Sequence, residues 1–239
     1  MAVTELSRAY HEKMILPPVR SQKDLIGLVK KYGFLPFFSG PIPGFNVYEA
    51  VPDAIWETNK GLGPWMWRDE IAREGSCIYG KFLGGKTAYV SREWFAHLAN
   101  YRRDGYDFDA RYDDGLARFE DKQVYDLILN NGPISAPALR AAVGVERGKS
   151  TRFEASMTRL QMMTYVVPCD FIFPRDAHGE KKFSYGVTVY DVAERALGTD
   201  AVSGEYDTAP EESFELIMEH LRSLLPEADE KCIQKLIRI

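Results

Sequence analysis

Three features of the chain predict an α+β fold containing a winged helix-turn-helix. After Glu120 there are three successive helix-length segments, each with its own start or stop residue. Two β-favouring runs follow them directly, and in the first half a Gly-Gly turn joins two further strand-like runs.

In the second half, Asp121 to Asn130 places Val124, Leu127 and Ile128 at helical spacing and stops at Asn131-Gly132. Ser135 is positioned to cap a second short helix with Pro137 in its first turn, where a missing N–H costs nothing. Leu139 and Val143 face inward before Gly144 ends it. Thr151 with Glu154 three residues on is a capping-box pattern, and it opens a third helix whose Phe153, Met157, Leu160 and Thr164 form one stripe. This is the expected recognition helix. Tyr165 to Phe173 and Phe183 to Tyr190, joined by the polar text PRDAHGEKK, then make the wing.

The first half reads as a second, degenerate unit of the same kind. Leu25, Ile26, Leu28 and Val29 predict a short buried helix ending at Gly33, while the Pro-, Gly- and ring-rich text from Phe34 to Pro64 predicts irregular backbone held by aromatic burial. Tyr79 to Leu83 and Lys86 to Val90 flank Gly84-Gly85, which supplies the positive φ of a tight hairpin. Ser91 caps a helix carrying Trp94, Phe95 and Leu98, expected to fray at Asn100 before the charged run YRRDGYDFDARYDDG. The resulting division is an N-terminal arm (1–22), an aromatic-rich winged-helix-like domain (23–115), a winged helix-turn-helix domain (116–198), and a linker with C-terminal helices (199–239). Phe214, Ile217, Met218, Leu221, Leu224 and Leu225 give the last part an amphipathic face for the body of the protein or for a homodimer partner.

Composition narrows the function. With 45% hydrophobic and 27% charged residues over 239 positions, the chain is an ordinary globular protein, and no stretch approaches the ~20 apolar residues a membrane span needs. No secretory signal opens the sequence, and three scattered cysteines fit a reducing cytoplasm. Neither a metal site nor a cofactor is expected, because the four histidines are dispersed and no ligand spacing is present. The net charge of -5 opposes phosphate binding, but charge is unevenly placed: from Arg147 to Gln161 four cations face one anion, whereas the tail after Ala209 is rich in glutamate.

DNA is therefore the expected partner. On the third helix, Thr151, Arg152, Arg159 and Gln161, with Lys149 just before it, are the expected contacts, and Lys181 and Lys182 add backbone contacts from the wing. The first half offers a possible pocket for an unstacked base: Trp65, Trp67, Tyr79 and Trp94 as ring surfaces, Arg68 and Arg92 for phosphate, and Glu70 as acid or base. That pocket supports an alternative reading as a hydrolase acting on damaged bases. Catalytic residues are not identified by either reading, and a protein-interaction scaffold is the third possibility.

The motifs GPWMWR, YGKFLGGKTAYVSREWF, NYRRDGYDFDARYDDG and TRLQMMTYV resemble those of the bacterial AlkZ-related proteins, from about Gly33 to Gly198. That family is similar to the AlkZ-type DNA glycosylases, which are tandem winged helices that remove alkylated or crosslinked bases. The resemblance thus implies tandem winged helices here. It also implies a place for the glycosylases' Gln-x-Gln or Gln-x-Asp pair, but the nearest text, Gln161-Met162-Met163, lacks the second polar residue and lies on the third helix of the second unit, so no catalytic role is carried over.

Overall fold

A computed structural model describes residues 15–58, 63–144, 151–173, 186–203 and 207–239. The wing loop PRDAHGEKK and the lysines Lys149, Lys181 and Lys182 lie outside the described residues.

The first unit starts with α1 (Gln22–Tyr32), where the Ser21 side chain accepts from the Asp24 amide at 3.2 Å. It ends at Gly33. Strand β1 (Phe34–Pro36), helices α2 (Val47–Ala50) and α3 (Asp53–Thr58) and a 3-10 turn (Gly63–Trp65) follow. The span expected to be irregular thus holds four short regular elements, because the Asn46 side chain caps α2 through the Glu49 amide at 2.9 Å and buried Phe37, Ile42 and Phe45 fix its backbone. Helix α4 (Trp67–Glu74) leads to β2 (Cys77–Leu83) and β3 (Lys86–Ser91), joined by Gly84 at φ 57° and Gly85 at φ 71°, the left-handed pair that a two-residue hairpin requires. The sheet order is β1-β3-β2, all antiparallel.

Helix α5 (Arg92–Arg103), capped by Ser91, does not fray at Asn100. Asn100 is buried and donates to Ser213 Oγ and Thr208 O at 2.8 and 2.7 Å, and the helix continues until Asp104 turns left-handed. After α6 (Phe108–Asp113), the second unit runs α7 (Phe119–Asn131), β4 (Ile134–Ser135), α8 (Ala136–Val143), α9 (Thr151–Met162), β5 (Val166–Ile172) and β6 (Val187–Val192). Its sheet order is β4-β6-β5. The two halves therefore repeat one arrangement: a helix, a short strand, further helices and a hairpin whose second strand lies in the middle of the sheet. Each hairpin also carries a register shift on its first strand, between Gly80 and Leu83 and between Pro168 and Asp170.

The expected stripe of α9 is buried: Phe153, Met157, Leu160 and Thr164 are all at most 5% exposed. The capping box is not formed, since Thr151 is itself the first helical residue and Glu154 pairs instead with Arg140. Phe108, in the charged run YRRDGYDFDARYDDG, belongs to the second unit's core, with its ring 4.3 Å from Tyr125 and 5.0 Å from Tyr165.

Helices α10 (Ala193–Leu197), α11 (Asp200–Ser203), α12 (Pro210–Leu224) and α13 (Glu230–Ile237) return the chain to the first unit. Phe214, Ile217, Met218, Leu221, Ile233, Leu236 and Ile237 are buried in the same core as Leu25, Phe34 and Phe95. The apolar face that offered itself to a homodimer partner is already covered by this chain's own first unit. The expected arm is likewise docked from Leu16 onward: Leu16 and Val19 are buried, and the Val19 amide donates to Ala50 O at 2.8 Å.

Two arginines of the charged run join these parts. Arg102 donates from Nη1 to Phe82 O (2.8 Å) and Met162 O (2.6 Å), and from Nη2 to Ile237 O (2.8 Å), tying hairpin, α9 and α13 together. Burial lowers its pKa to about 10, so it remains charged at neutral pH. Arg103 donates to Thr164 Oγ1 at 3.1 Å and Thr164 O at 2.6 Å and pairs with Glu194. Both guanidinium groups thus meet carbonyls at the C-terminal end of α9, where the helix dipole favours a cation. Thr164 itself adopts φ 64°, a left-handed cap conformation more usual for glycine, and Arg103 holds it there.

Burial also decides thiol chemistry. Cys77 is buried, and desolvation pushes its thiol up to about 12, that of Cys169 to about 11. Pulse alkylation at pH 8 is expected to label the half-buried Cys232 first and Cys77 only after unfolding; fast labelling of Cys77 in the native protein would contradict its placement.

Candidate nucleic-acid interface

The helix that precedes the hairpin in each unit packs against the hairpin of the other. From α4, Arg73 donates to Asp170 Oδ1 (2.7 Å) and Phe171 O (2.8 Å) on β5, and the Arg68 guanidinium lies 4.4 Å from the Phe171 ring. From α9, Gln161 Oε1 accepts from the Lys81 amide on β2 at 3.1 Å, and Lys81 Nζ donates to Thr158 Oγ1 at 3.2 Å. Gly80 permits this approach, since a Cβ there would lie 2.6 Å from the Phe82 ring and 3.2 Å from Gln161 Oε1. Each bulged strand thus receives the opposing helix, and the two units form one body.

This packing redistributes the residues expected to contact DNA. Gln161 is 2% exposed, with its amide nitrogen bonded to Met157 O at 3.0 Å, so both ends of its side chain are already engaged and it does not reach a base edge. Arg159 is held by Asp121 through Nε at 2.8 Å and Nη2 at 2.5 Å, with Ser156 Oγ at 3.1 Å, so its charge is neutralised within the unit. Ser156, one of its partners, is fully buried. The reason is common to all three: the helix has two buried flanks, one on its own core and one on β2, where periodicity alone indicates one. Thr151 and Arg152, in the first turn, are exposed.

The residues expected to line a base pocket divide into three places. Trp65 stacks on Phe37 at 4.5 Å, with Arg68 at 5.5 Å from the Trp65 ring; Tyr79, buried, contacts Tyr89 and Phe171. Trp94 instead stacks on His220 at 4.1 Å, and Arg92 donates to Leu197 O, both from the first turn of α5 to the C-terminal part of the chain. Trp67 is half-buried at the start of α4, and Glu70 is exposed and faces away from these rings' shared core. The carboxylate inside is Asp69, which the sequence reading passed over. It is 3% exposed, 3.5 Å from Arg68, and burial raises its pKa, with the Arg68 charge partly opposing. Ile71, two residues on, lies on nearly the opposite face of α4 and gives no sign of it; the neighbouring Arg68 reaches the Phe171 ring of the other unit. Trp94 and Arg92 thus have partners different from those of Trp65, Arg68 and Tyr79. Among the described residues, no group of three His, Cys, Asp or Glu side chains is placed to hold a metal ion, and no helix is long and apolar enough to cross a membrane.

A family model described as AlkZ related matches residues 19–238. The chain belongs to the AlkZ-related family. The match takes in both units and the C-terminal helices, so this AlkZ-related chain shares with its family the whole described body and not the second unit alone. Neither a curated protein nor a solved structure matches it.

Proposed function

We propose that this AlkZ-related protein binds DNA through two winged helix-turn-helix units, in a role connected with DNA repair in the cytoplasm. The observation that carries the reading is the repeated arrangement: in each half a short strand, further helices and a hairpin follow one another as in a winged helix, with sheet orders β1-β3-β2 and β4-β6-β5. Family membership over residues 19–238 supports it. The winged helix commonly places the start of its third helix against the phosphate backbone, where free amides and the dipole favour anions. In this chain Thr151 and Arg152 occupy that turn and are exposed. In the sequence Lys149 precedes Thr151 by two residues, and Lys181 and Lys182 fall between β5 and β6.

Arg152→Glu is the test. It removes one cation and adds an anion at an exposed position, and should lower duplex affinity by roughly tenfold while leaving the unfolding midpoint unchanged. Unchanged affinity in a fluorescence-anisotropy titration would place the interface elsewhere.

A further inference from the structure

We infer that the ring surface formed by Phe38, Tyr48, Trp56 and Trp65, with the adjoining lysine cleft, is a binding site for an unpaired nucleotide of a DNA strand. The four rings are in continuous contact: Tyr48 lies 5.3 Å from Trp56 and 5.9 Å from Phe38, and Phe38 lies 5.6 Å from Trp65. Core aromatics are normally covered, yet Tyr48 is 52% and Phe38 39% exposed. The surface is also held in place. The Tyr48 amide donates to Phe37 O at 2.9 Å, Asn46 caps the helix that carries Tyr48, and Ser39 Oγ donates to Glu49 at 2.6 Å.

Beside the rings is a cleft of about 240 Å³, in which Phe38, Pro36 and Gly84 form part of the wall and Lys86 and Lys235 supply the charge. Among the described residues no carboxylate lines it, and neither lysine makes an ion pair with one of them. Lys86 Nζ donates to Ser39 O at 3.2 Å, which fixes one ammonium next to the rings. A π-face for a base and a cationic cleft for its phosphate, meeting at Phe38, are the two elements of sequence-tolerant single-strand recognition. The occupant this chemistry selects is a nucleotide already out of its stack, since a paired base presents no free face.

This inference rests on the DNA-binding reading, and its test separates the two. The full-length protein is titrated with three labelled probes: a duplex, the same duplex with one bulged 2-aminopurine, and a single strand. Wild type should bind the bulged duplex on the order of tenfold tighter than the plain duplex and change the 2-aminopurine emission on binding. Tyr48→Ala with Phe38→Ala should abolish that gain and the emission change while leaving plain-duplex affinity within about twofold. Tyr48→Leu, which keeps apolar bulk, should lose most of the gain too. Lys86→Ala with Lys235→Ala should weaken the bulged probe more than the plain duplex. If wild type binds the plain duplex but gains nothing from the bulge, or if the ring variants lose both probes equally, the inference is overturned and DNA binding stands. If wild type binds no probe, both readings fall.

Discussion

Replacing Arg102 with alanine should destabilise the protein by about 3 kcal/mol or more, the cost of leaving buried carbonyls without a charged donor. The side chain is 3% exposed and serves Phe82 O, Met162 O and Ile237 O at once. No rearrangement of water compensates at a fully enclosed site, and the cavity left by the guanidinium adds to the loss. For a chain of this length each kcal/mol lowers the melting temperature by about 2–4 °C, so a drop of roughly 6–12 °C is expected in thermal unfolding. Arg102→Lys should recover little, because one ammonium does not span three separated acceptors. Arg118→Ala, at an exposed position, serves as the control and should change stability by less than about 0.5 kcal/mol.

The second large effect concerns Arg159. Asp121 has a side chain only 6% exposed and depends on that guanidinium, whose own side chain is 32% exposed. Removing Arg159 leaves a buried carboxylate uncompensated, so Arg159→Ala should cost about 2 kcal/mol after allowance for partial solvent access. Asp121→Ala should cost a similar amount, and the double variant less than the sum, with a coupling of about 1 kcal/mol or more in a urea-denaturation cycle. Duplex affinity should not change in Arg159→Ala. A variant that kept its stability and lost DNA binding would instead return Arg159 to the phosphate contacts that helical periodicity first assigned to it.

The contrast between Arg152 and Arg159 shows how much of this protein is legible in its sequence. Element order was legible almost throughout, because local signals set it: the stop at Gly132, the Gly84-Gly85 turn, the Ser91 cap and the Phe153, Met157, Leu160 stripe all act within a few residues. Helix ends were less so. Asn100 does not end α5, because its side chain and those of Arg102 and Arg103 find acceptors far along the chain, and a run of charge reads as solvated until those acceptors are known. The site was least legible. Gln161 is consumed by a backbone amide 80 residues away, and Asp69 is buried beside Arg68, whose guanidinium lies over the Phe171 ring of the other unit, a contact that no period within α4 reveals. Phe38 and Tyr48 fall in text that only reads as irregular; their exposure depends on how α2 is capped and turned.

Reciprocal helix-on-hairpin packing also bears on how such a protein would meet DNA. The flank of α9 that faces β2 is closed, so on the proposed reading the exposed first turn of the helix, with Thr151 and Arg152, is the part left for a duplex. Contact of this kind is governed by phosphates and should be weakly sequence-selective.

The most direct measurement is a titration of a labelled duplex with the wild-type protein at several salt concentrations between about 50 and 200 mM. Saturable binding whose logarithm falls linearly with the logarithm of salt, with a slope of at least about two phosphate contacts, is the result expected of a winged-helix protein gripping the backbone. Binding that is absent at the lowest salt, or that is indifferent to salt, would contradict it.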